Sequence, residues 1–273
     1  MKYQAIRKLH YKRENKALSK HPLYFDMHNW LKSPYTCFKI RLYIELSSII
    51  VYFLQNTKVK SNDVTFTYIF LSFLGGICLA FNDSKIIIFG ILVLFFKVVI
   101  DSADGLLATV KYQPTIKGAA LDSWGGTVSA NSFIFGFGIY CFNFTNNIIF
   151  LYIIVLIIFL KSIDLKKDIS TYLINILNEG YIFKNNKKII KTFKKSKKSL
   201  GIIENFFKYG FNYHGKTLDF IFLIILFELY YGKILFSQYF FLLFTLRELV
   251  MFIYNIIVSI KNNDSIERNF IKR

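Results

Sequence analysis

The sequence predicts an all-α, polytopic membrane protein on three observations: its apolar content, its segregated charge and its long apolar segments. Of its 273 residues, 54% are hydrophobic and 19% aromatic, and the mean hydropathy is +0.39. A soluble domain rarely carries so much apolar side chain. The charged residues are sparse across the apolar stretches and dense between them, as expected where a bilayer excludes charge.

Six apolar segments approach the roughly 20 residues that a helix needs to cross a hydrocarbon core about 30 Å thick. They lie at residues 64–82, 86–108, 118–142, 147–161, 217–231 and 234–259. An earlier apolar run, 40–54, is shorter and carries Arg41 and Glu45, which favours an amphipathic helix lying in the interface. We therefore expect six transmembrane helices preceded by one interfacial helix.

Lysine and arginine set the expected orientation, because short cytoplasmic segments retain positive charge. The two terminal regions, the connection with Lys111 and Lys117, and the long fourth connection are all basic, whereas the alternate connections are short and poor in charge. This parity predicts an integral membrane protein with both termini on the cytoplasmic side. The predicted regions are a basic tail with the interfacial helix (1–60), a six-span domain (61–260) with a basic insertion (162–216), and a C-terminal tail (261–273).

The net charge of +18 indicates contact with anionic lipid. In the insertion, Ile, Leu and Phe recur near helical spacing among the lysines, so we expect one or two surface helices on anionic headgroups, at about 1 kcal/mol per basic residue. A solvated basic linker is the alternative. Nucleic acid is not an expected partner, because the surrounding spans already explain the charge.

Two other features exclude further classes. The three cysteines, Cys37, Cys78 and Cys141, lie far apart, which predicts neither a disulfide framework nor a thiolate metal site. The basic first residues are followed by no compact apolar region, so we expect no removable signal peptide.

Three aspartates are predicted to converge at the cytoplasmic edge of the second and third spans. At about 100° per residue, Asp101 and Asp104 lie within about 60° of each other on one helix. On the next helix Asp122 lies in a stripe with Gly118 and Gly126, at i, i+4 and i+8. Two neighbouring helices can therefore present three carboxylates to one point.

Such a cluster requires a cation to offset its negative charge. An acidic residue at membrane depth costs roughly 2.5 to 3.5 kcal/mol, so three facing carboxylates without a partner are severely unfavourable. Oxygen ligands with no His or Cys nearby favour Mg²⁺, Mn²⁺ or Ca²⁺ over zinc. The small residues Gly105 and Ala108 would let a phosphate-bearing ligand approach the helix backbone. A metal beside open backbone suits a diphosphate donor.

At these residues the sequence resembles the CDP-alcohol phosphotransferase family, whose signature is D-x2-D-G-x2-A-R-x8-G-x3-D-x3-D. Six of the eight fixed positions match at the right spacing: Asp101, Asp104, Gly105, Ala108, Gly118 and Asp122. Asn62 to Thr65 also resembles the family's P-N-x-[VIL]-T element, with Ser61 in place of proline.

The resemblance implies transfer of a phospho-alcohol group from a CDP-linked alcohol donor to a hydroxyl acceptor, with release of CMP. It also implies Mg²⁺ or Mn²⁺, commonly as two ions, and a homodimer with its active site on the cytoplasmic side. Asp101, Asp104 and Asp122 would ligate metal. The residues that would line the substrate site are Asn62, Thr65, Gly105, Ala108 and Gly118.

Two positions depart from the signature. Thr109 stands in place of its arginine, and Gly126 in place of the last aspartate, which in the family completes the second metal site and is taken as the base. His214 and Asp219 are weak candidates for that base, and Asp219 is also a candidate for an accessory ligand or acceptor contact. We interpret Gly126 itself as a close-packing residue, since small residues let membrane helices approach.

The alternative for the aspartates is a purely structural role, as a polar cluster in which Asp101 pairs with Lys97 one turn earlier. Within the other apolar segments Glu228, Arg247 and Glu248 also need partners. Arg247 could meet a phosphate or form a structural ion pair. Two rival functions stay open: a catalytically inactive relative that binds a CDP-linked ligand or a partner, and a small membrane transporter.

Overall fold

The structure is a computed structural model that describes residues 1–18, 34–112, 115–161, 216–234 and 236–271. Every regular element in these ranges is an α-helix, which confirms the all-α prediction. The helices are Tyr3–Leu18 (α1), Pro34–Leu54 (α2), Ser61–Leu79 (α3), Ser84–Val110 (α4), Ile116–Thr145 (α5), Ile149–Lys161 (α6), Lys216–Tyr231 (α7) and Ser237–Ile271 (α8).

Each of the six predicted spans falls on one helix, from α3 to α8. Among the described helices, α3 and α4 are long and apolar enough to cross a membrane, and α6 is apolar but shorter. The predicted interfacial helix lies within α2, which begins earlier than expected, at Pro34. The surface helices predicted for the basic insertion fall almost wholly on 162–215, outside the described residues.

The chain divides into two compact units, Met1–Tyr140 and Cys141–Arg273. In the first, α4 packs against α2 and α3, and α1 packs against α2. Helices α3 and α5 meet at backbone contact, because a β-carbon on Gly76 would collide with the Ser132 carbonyl and one on Gly136 with the Gly76 carbonyl. Small residues at a crossing permit this close approach.

The basic N-terminal region, predicted as a tail, forms helix α1 and is docked on the first unit. Ile6 is fully buried in a cluster with Val51 of α2 and Leu106 of α4. Burying such side chains stabilises the contact by about 1.5 to 3 kcal/mol each. The apolar contacts therefore fix α1 against the helices that carry the site described below.

Polar contacts around Glu45 of α2 hold the same helix from one side. The Glu45 carboxylate accepts hydrogen bonds from the Tyr3 hydroxyl (2.9 Å), the Tyr11 hydroxyl (2.9 Å) and the Arg7 Nε (2.7 Å). The hydrogen bond from Arg7 is the main reason that the pKa of Glu45 is lowered, and it raises the pKa of Arg7. Glu45 is therefore ionised and ties three successive turns of α1 to α2.

His10 holds α1 at its centre. Its side chain is fully buried, with Nδ1 hydrogen-bonded to Ser47 Oγ at 3.2 Å and Nε2 to Ser102 Oγ at 3.1 Å. These two bonds connect α1 to α2 and to α4. Burial first, and then the positive charge of Arg13, lower the pKa of His10 to about 4, so the imidazole is neutral near pH 7.

In the second unit the charged residues of the apolar segments find partners. Glu228, in α7, accepts hydrogen bonds from the backbone N–H groups of Phe236 (2.6 Å) and Ser237 (2.8 Å), and so caps the start of α8. Glu248 forms ion pairs with Arg247 and, at 3.3 Å, with Lys161. Of the two roles considered for Arg247, the structural ion pair is therefore the one found.

Candidate metal centre

The three predicted aspartates come together. Asp101 and Asp104 project from α4 and Asp122 from α5, and one carboxylate oxygen from each lies within 4.8 Å of the others. Asp104 is buried, Asp101 is half-buried and Asp122 is exposed. The cluster is thus anchored in the helix pair and open on one side.

This spacing fits a single hard cation. Oxygen ligands lie at about 2.0 to 2.1 Å from Mg²⁺ and about 2.3 to 2.6 Å from Ca²⁺, so oxygens on opposite sides of one ion are separated by roughly 4 to 5 Å. The 4.8 Å limit among the three carboxylates falls at the upper end of that range.

Helix α3 supports the cluster through two hydroxyl groups. The Thr65 hydroxyl donates a 2.7 Å hydrogen bond to Asp104 Oδ2, and the Tyr68 hydroxyl donates to the Asp122 carbonyl at 3.2 Å. Thr65, predicted to line the substrate site, lies against a carboxylate and is buried. Tyr68 was not singled out from the sequence, because a tyrosine in an aromatic-rich span gives no signal of its own.

The other predicted substrate residues lie around this point on different helices. A β-carbon on Gly118 would lie 3.0 Å from Asn62 Oδ1, so these two residues are neighbours across α3 and α5. Ala108 is half-buried one turn beyond Asp104. Thr109, which stands where the signature has arginine, is exposed, and its hydroxyl donates to the Gly105 carbonyl of its own helix at 2.9 Å.

The close-packing interpretation of Gly126 is wrong. A β-carbon at Gly126 meets no described atom within 4 Å, whereas one at the preceding Gly125 would lie 2.8 Å from Ile69 Cγ1 and 2.9 Å from Tyr68 Cζ. The two positions differ by about 100° around the helix, and it is Gly125 that faces α3. Gly126 borders open space.

The ion pair between Lys97 and Asp101, considered as the structural alternative, is not formed within 4.0 Å. Lys97 is buried in α4 and its ammonium donates to Ser129 Oγ of α5. Within the described residues no lysine or arginine lies within 4.0 Å of the three carboxylates. Lys97 therefore acts on Asp101 through its charge, without a direct ion pair.

One basic residue near the cluster was missed from the sequence. A cavity of about 330 Å³ is lined by all three aspartates and Gly105, and also by Arg13 of α1. A β-carbon on Gly105 would lie 2.7 Å from Arg13 Nη1 and 3.0 Å from Cζ, so the guanidinium rests against the bare backbone of that glycine. The available signal was the spacing of Ile6, His10 and Arg13 on one face of a helix.

The structure describes one of the two weak candidates for the base. His214 lies outside the described residues. Asp219 is buried in the first turn of α7, a helix of the second unit.

Comparison with models of known protein families finds no match for this chain. Comparison with characterised proteins finds no similar sequence. The spacing of the motif and the geometry of the acidic cluster are therefore the basis for a functional proposal.

Proposed function

We propose that this chain is a metal-dependent membrane enzyme of the CDP-alcohol phosphotransferase type. It would transfer a phospho-alcohol group, for example phosphatidyl, from a CDP-linked donor to a hydroxyl acceptor in the synthesis of phospholipids or related glycoconjugates. The single observation that supports this most strongly is the convergence of Asp101, Asp104 and Asp122 in one cavity that Gly105 also lines. Those residues stand at the spacing of the family's signature.

Mg²⁺ or Mn²⁺ would be held by the three carboxylates. When bound, the ion would neutralise negative charge on a diphosphate. Thr65 fixes the Asp104 carboxylate through its hydrogen bond, and Tyr68 fixes the backbone at Asp122. Gly105 leaves room for the Arg13 guanidinium beside the cluster, since a side chain there would collide with it.

The transfer itself is a substitution at phosphorus. The acceptor hydroxyl oxygen bonds to the phosphorus that carries the alcohol, and the bond from that phosphorus to the bridging oxygen breaks. CMP leaves with the bridging oxygen and both electrons of that bond. The hydroxyl proton passes to the phosphate of the departing CMP or to water, because the position that provides the base in the family is Gly126 here, which has no acceptor side chain.

We place this chemistry in a six-span membrane domain that acts as a homodimer, with both termini and the active site on the cytoplasmic side. Support comes from the coincidence of six apolar segments with six helices, from the two candidate spans α3 and α4, and from the distribution of lysine and arginine. The basic surfaces would contact anionic lipid.

A second candidate is a protein that binds a CDP-linked ligand without turning it over. The absence of a carboxylate at Gly126 and of a cation at Thr109 favours it. The three aspartates and Gly105 match the signature, whereas the position of its base does not.

The decisive experiment measures CMP release by purified protein in nanodiscs with Mn²⁺, CDP-diacylglycerol, CDP-glycerol or CDP-choline as donor, and lipid or polyol acceptors. Asp104→Asn should abolish release and Mn²⁺ binding. Asp83→Asn is the matched control, since Asp83 caps α4 by accepting from the Lys85 N–H and asparagine caps equally well. Donor binding without CMP release would favour the second candidate. Failure to bind Mn²⁺ and any cytidine nucleotide would overturn both and leave a transporter as the surviving hypothesis.

A further inference from the structure

Helix α1 brings a cation to the acidic cluster. The Arg13 guanidinium lines the same cavity as Asp101, Asp104 and Asp122, and its positive charge acts electrostatically on all three carboxylates. It rests on the face of Gly105 where the helix backbone is bare. A ligand that enters the cavity therefore meets carboxylates on one side and a guanidinium on another.

The backbone of Arg13 is fixed at this place by contacts on the preceding turns of α1. His10, three residues earlier, is hydrogen-bonded to Ser102, which lies between the two aspartates of α4 in sequence. Tyr11 and Arg7 are bound to Glu45. Arg13 thus belongs to a docked helix, and its side chain alone needs to adjust to a ligand.

The N–H groups of the Arg13 guanidinium can donate hydrogen bonds to a ligand. Within the described residues no hydrogen bond or ion pair engages Arg13. A guanidinium presents five N–H donors in a planar fork that matches two oxygens of one phosphate. The neighbouring Thr109, where the signature has its arginine, cannot provide this because it is neutral and bonded to its own helix.

Charge balance gives a reason for such a residue. Three carboxylates carry −3, and one divalent ion brings the cluster to −1, which repels an anionic diphosphate. The positive charge of Arg13, together with that of Lys97, which acts on Asp101, offsets the charge that remains. With Gly126 in place of a fourth carboxylate, less negative charge is left for these cations to offset.

We propose that Arg13 is an anion-binding residue of this site and holds the diphosphate of the CDP-linked ligand in the cavity that it lines with the three aspartates. The inference rests on the proposed function. It predicts opposite effects on two ligands, because Arg13 repels the metal ion and attracts the phosphates.

The test compares wild-type protein with Arg13→Gln, Arg13→Lys and Lys12→Gln, using calorimetry in nanodiscs with Mn²⁺ alone and with CDP at saturating Mn²⁺. Arg13→Gln should bind CDP about 10- to 100-fold more weakly, as expected for loss of charge-assisted hydrogen bonds. The same variant should bind Mn²⁺ alone several-fold more tightly.

Arg13→Lys should show an intermediate loss of CDP affinity, since a lysine keeps the charge without the planar fork of donors. Lys12→Gln removes one charge from the same helix outside the cavity lining and should match wild type.

Unchanged CDP affinity in Arg13→Gln, with wild-type binding intact, would overturn the Arg13 assignment and leave the proposed function standing. Equal loss of CDP and Mn²⁺ in both Arg13 variants would also overturn it, since a structural role moves both ligands together. If wild-type protein binds neither ligand, the proposed function itself falls. The two failures are therefore distinguishable.

Discussion

The Thr65 hydroxyl donates a 2.7 Å hydrogen bond to the Asp104 carboxylate and so joins α3 to α4 at the acidic cluster. Both side chains are buried. Among the described residues, Thr65 provides the one side-chain hydrogen bond to any of the three carboxylates. Because a ligand's outer partner fixes its orientation, Thr65 should determine how well Asp104 is preorganised for a metal ion.

Replacing Thr65 by valine keeps the shape of the side chain and removes that hydrogen bond. We expect the Mn²⁺ affinity to fall about 10- to 100-fold, the usual effect of losing an outer-shell partner. Thr65→Ser should retain most of the affinity. Thr67→Val is the control, because the Thr67 hydroxyl bonds the Asp63 carbonyl of its own helix. Equal Mn²⁺ affinities for Thr65→Val and Thr67→Val, measured by titration calorimetry, would contradict this role.

The sequence was sufficient to predict helix positions and the meeting of the aspartates, since hydrophobic length and helical phase are local properties. It was not sufficient for contacts that depend on tertiary packing. Helix α1 was predicted as a tail because its lysines and arginines hide a short apolar face, and the partners that dock it, such as Glu45, lie far along the chain. Which glycine faces α3 depends on helix rotation, and this misled the interpretation of Gly126.

The two neighbouring glycines of α5 should respond oppositely to alanine. Gly125→Ala forces a β-carbon against Tyr68 and Ile69, and such overpacking costs about 1 to 3 kcal/mol. Gly126→Ala meets open space and should be neutral or stabilising by up to about 1 kcal/mol through helix propensity. Thermal unfolding in one detergent measures both. Equal melting temperatures for the two variants would contradict the assignment of the packing face.

The docking of α1 should weaken in acid because of His10. Its pKa is lowered from 6.5 to about 4 on folding, so the unfolded state binds more protons between these values. The stability that His10 contributes is complete above pH 6.5 and is lost as the pH falls towards 4, by about 3 kcal/mol in total.

Melting temperatures from pH 7.5 to pH 4.5 check this, with His10→Gln as the comparison. The variant lacks the titrating group, so its melting temperature should change less with pH than that of wild type. Glu14 lies 3.8 Å from His10 and has a pKa raised mainly by burial, so its own titration opposes that of His10 and is common to both proteins. Glu45, whose pKa is lowered on folding, adds a slope of the same sign as His10 at the acid end of this window, and this too is common to both proteins. Parallel pH profiles for the two proteins would refute the role of His10.

Gly126→Asp should strengthen the metal site. The new carboxylate would lie one turn from Asp122 on the same face of α5, and its β-carbon has room, with no described atom within 4 Å. Attraction between unit charges about 4 Å apart reaches roughly 4 kcal/mol at an effective dielectric constant of 20, and repulsion among the carboxylates offsets part of it. We expect about tenfold tighter Mn²⁺ binding. Gly126→Asn, which has the same shape without the charge, should match wild type.

If the wild-type protein binds donor without turnover, Gly126→Asp should also gain CMP release, because the substitution would supply the carboxylate that the proposed reaction lacks as a base. Unchanged or weaker Mn²⁺ binding by Gly126→Asp would mean that the site is built around three carboxylates and Arg13, with no place for a fourth.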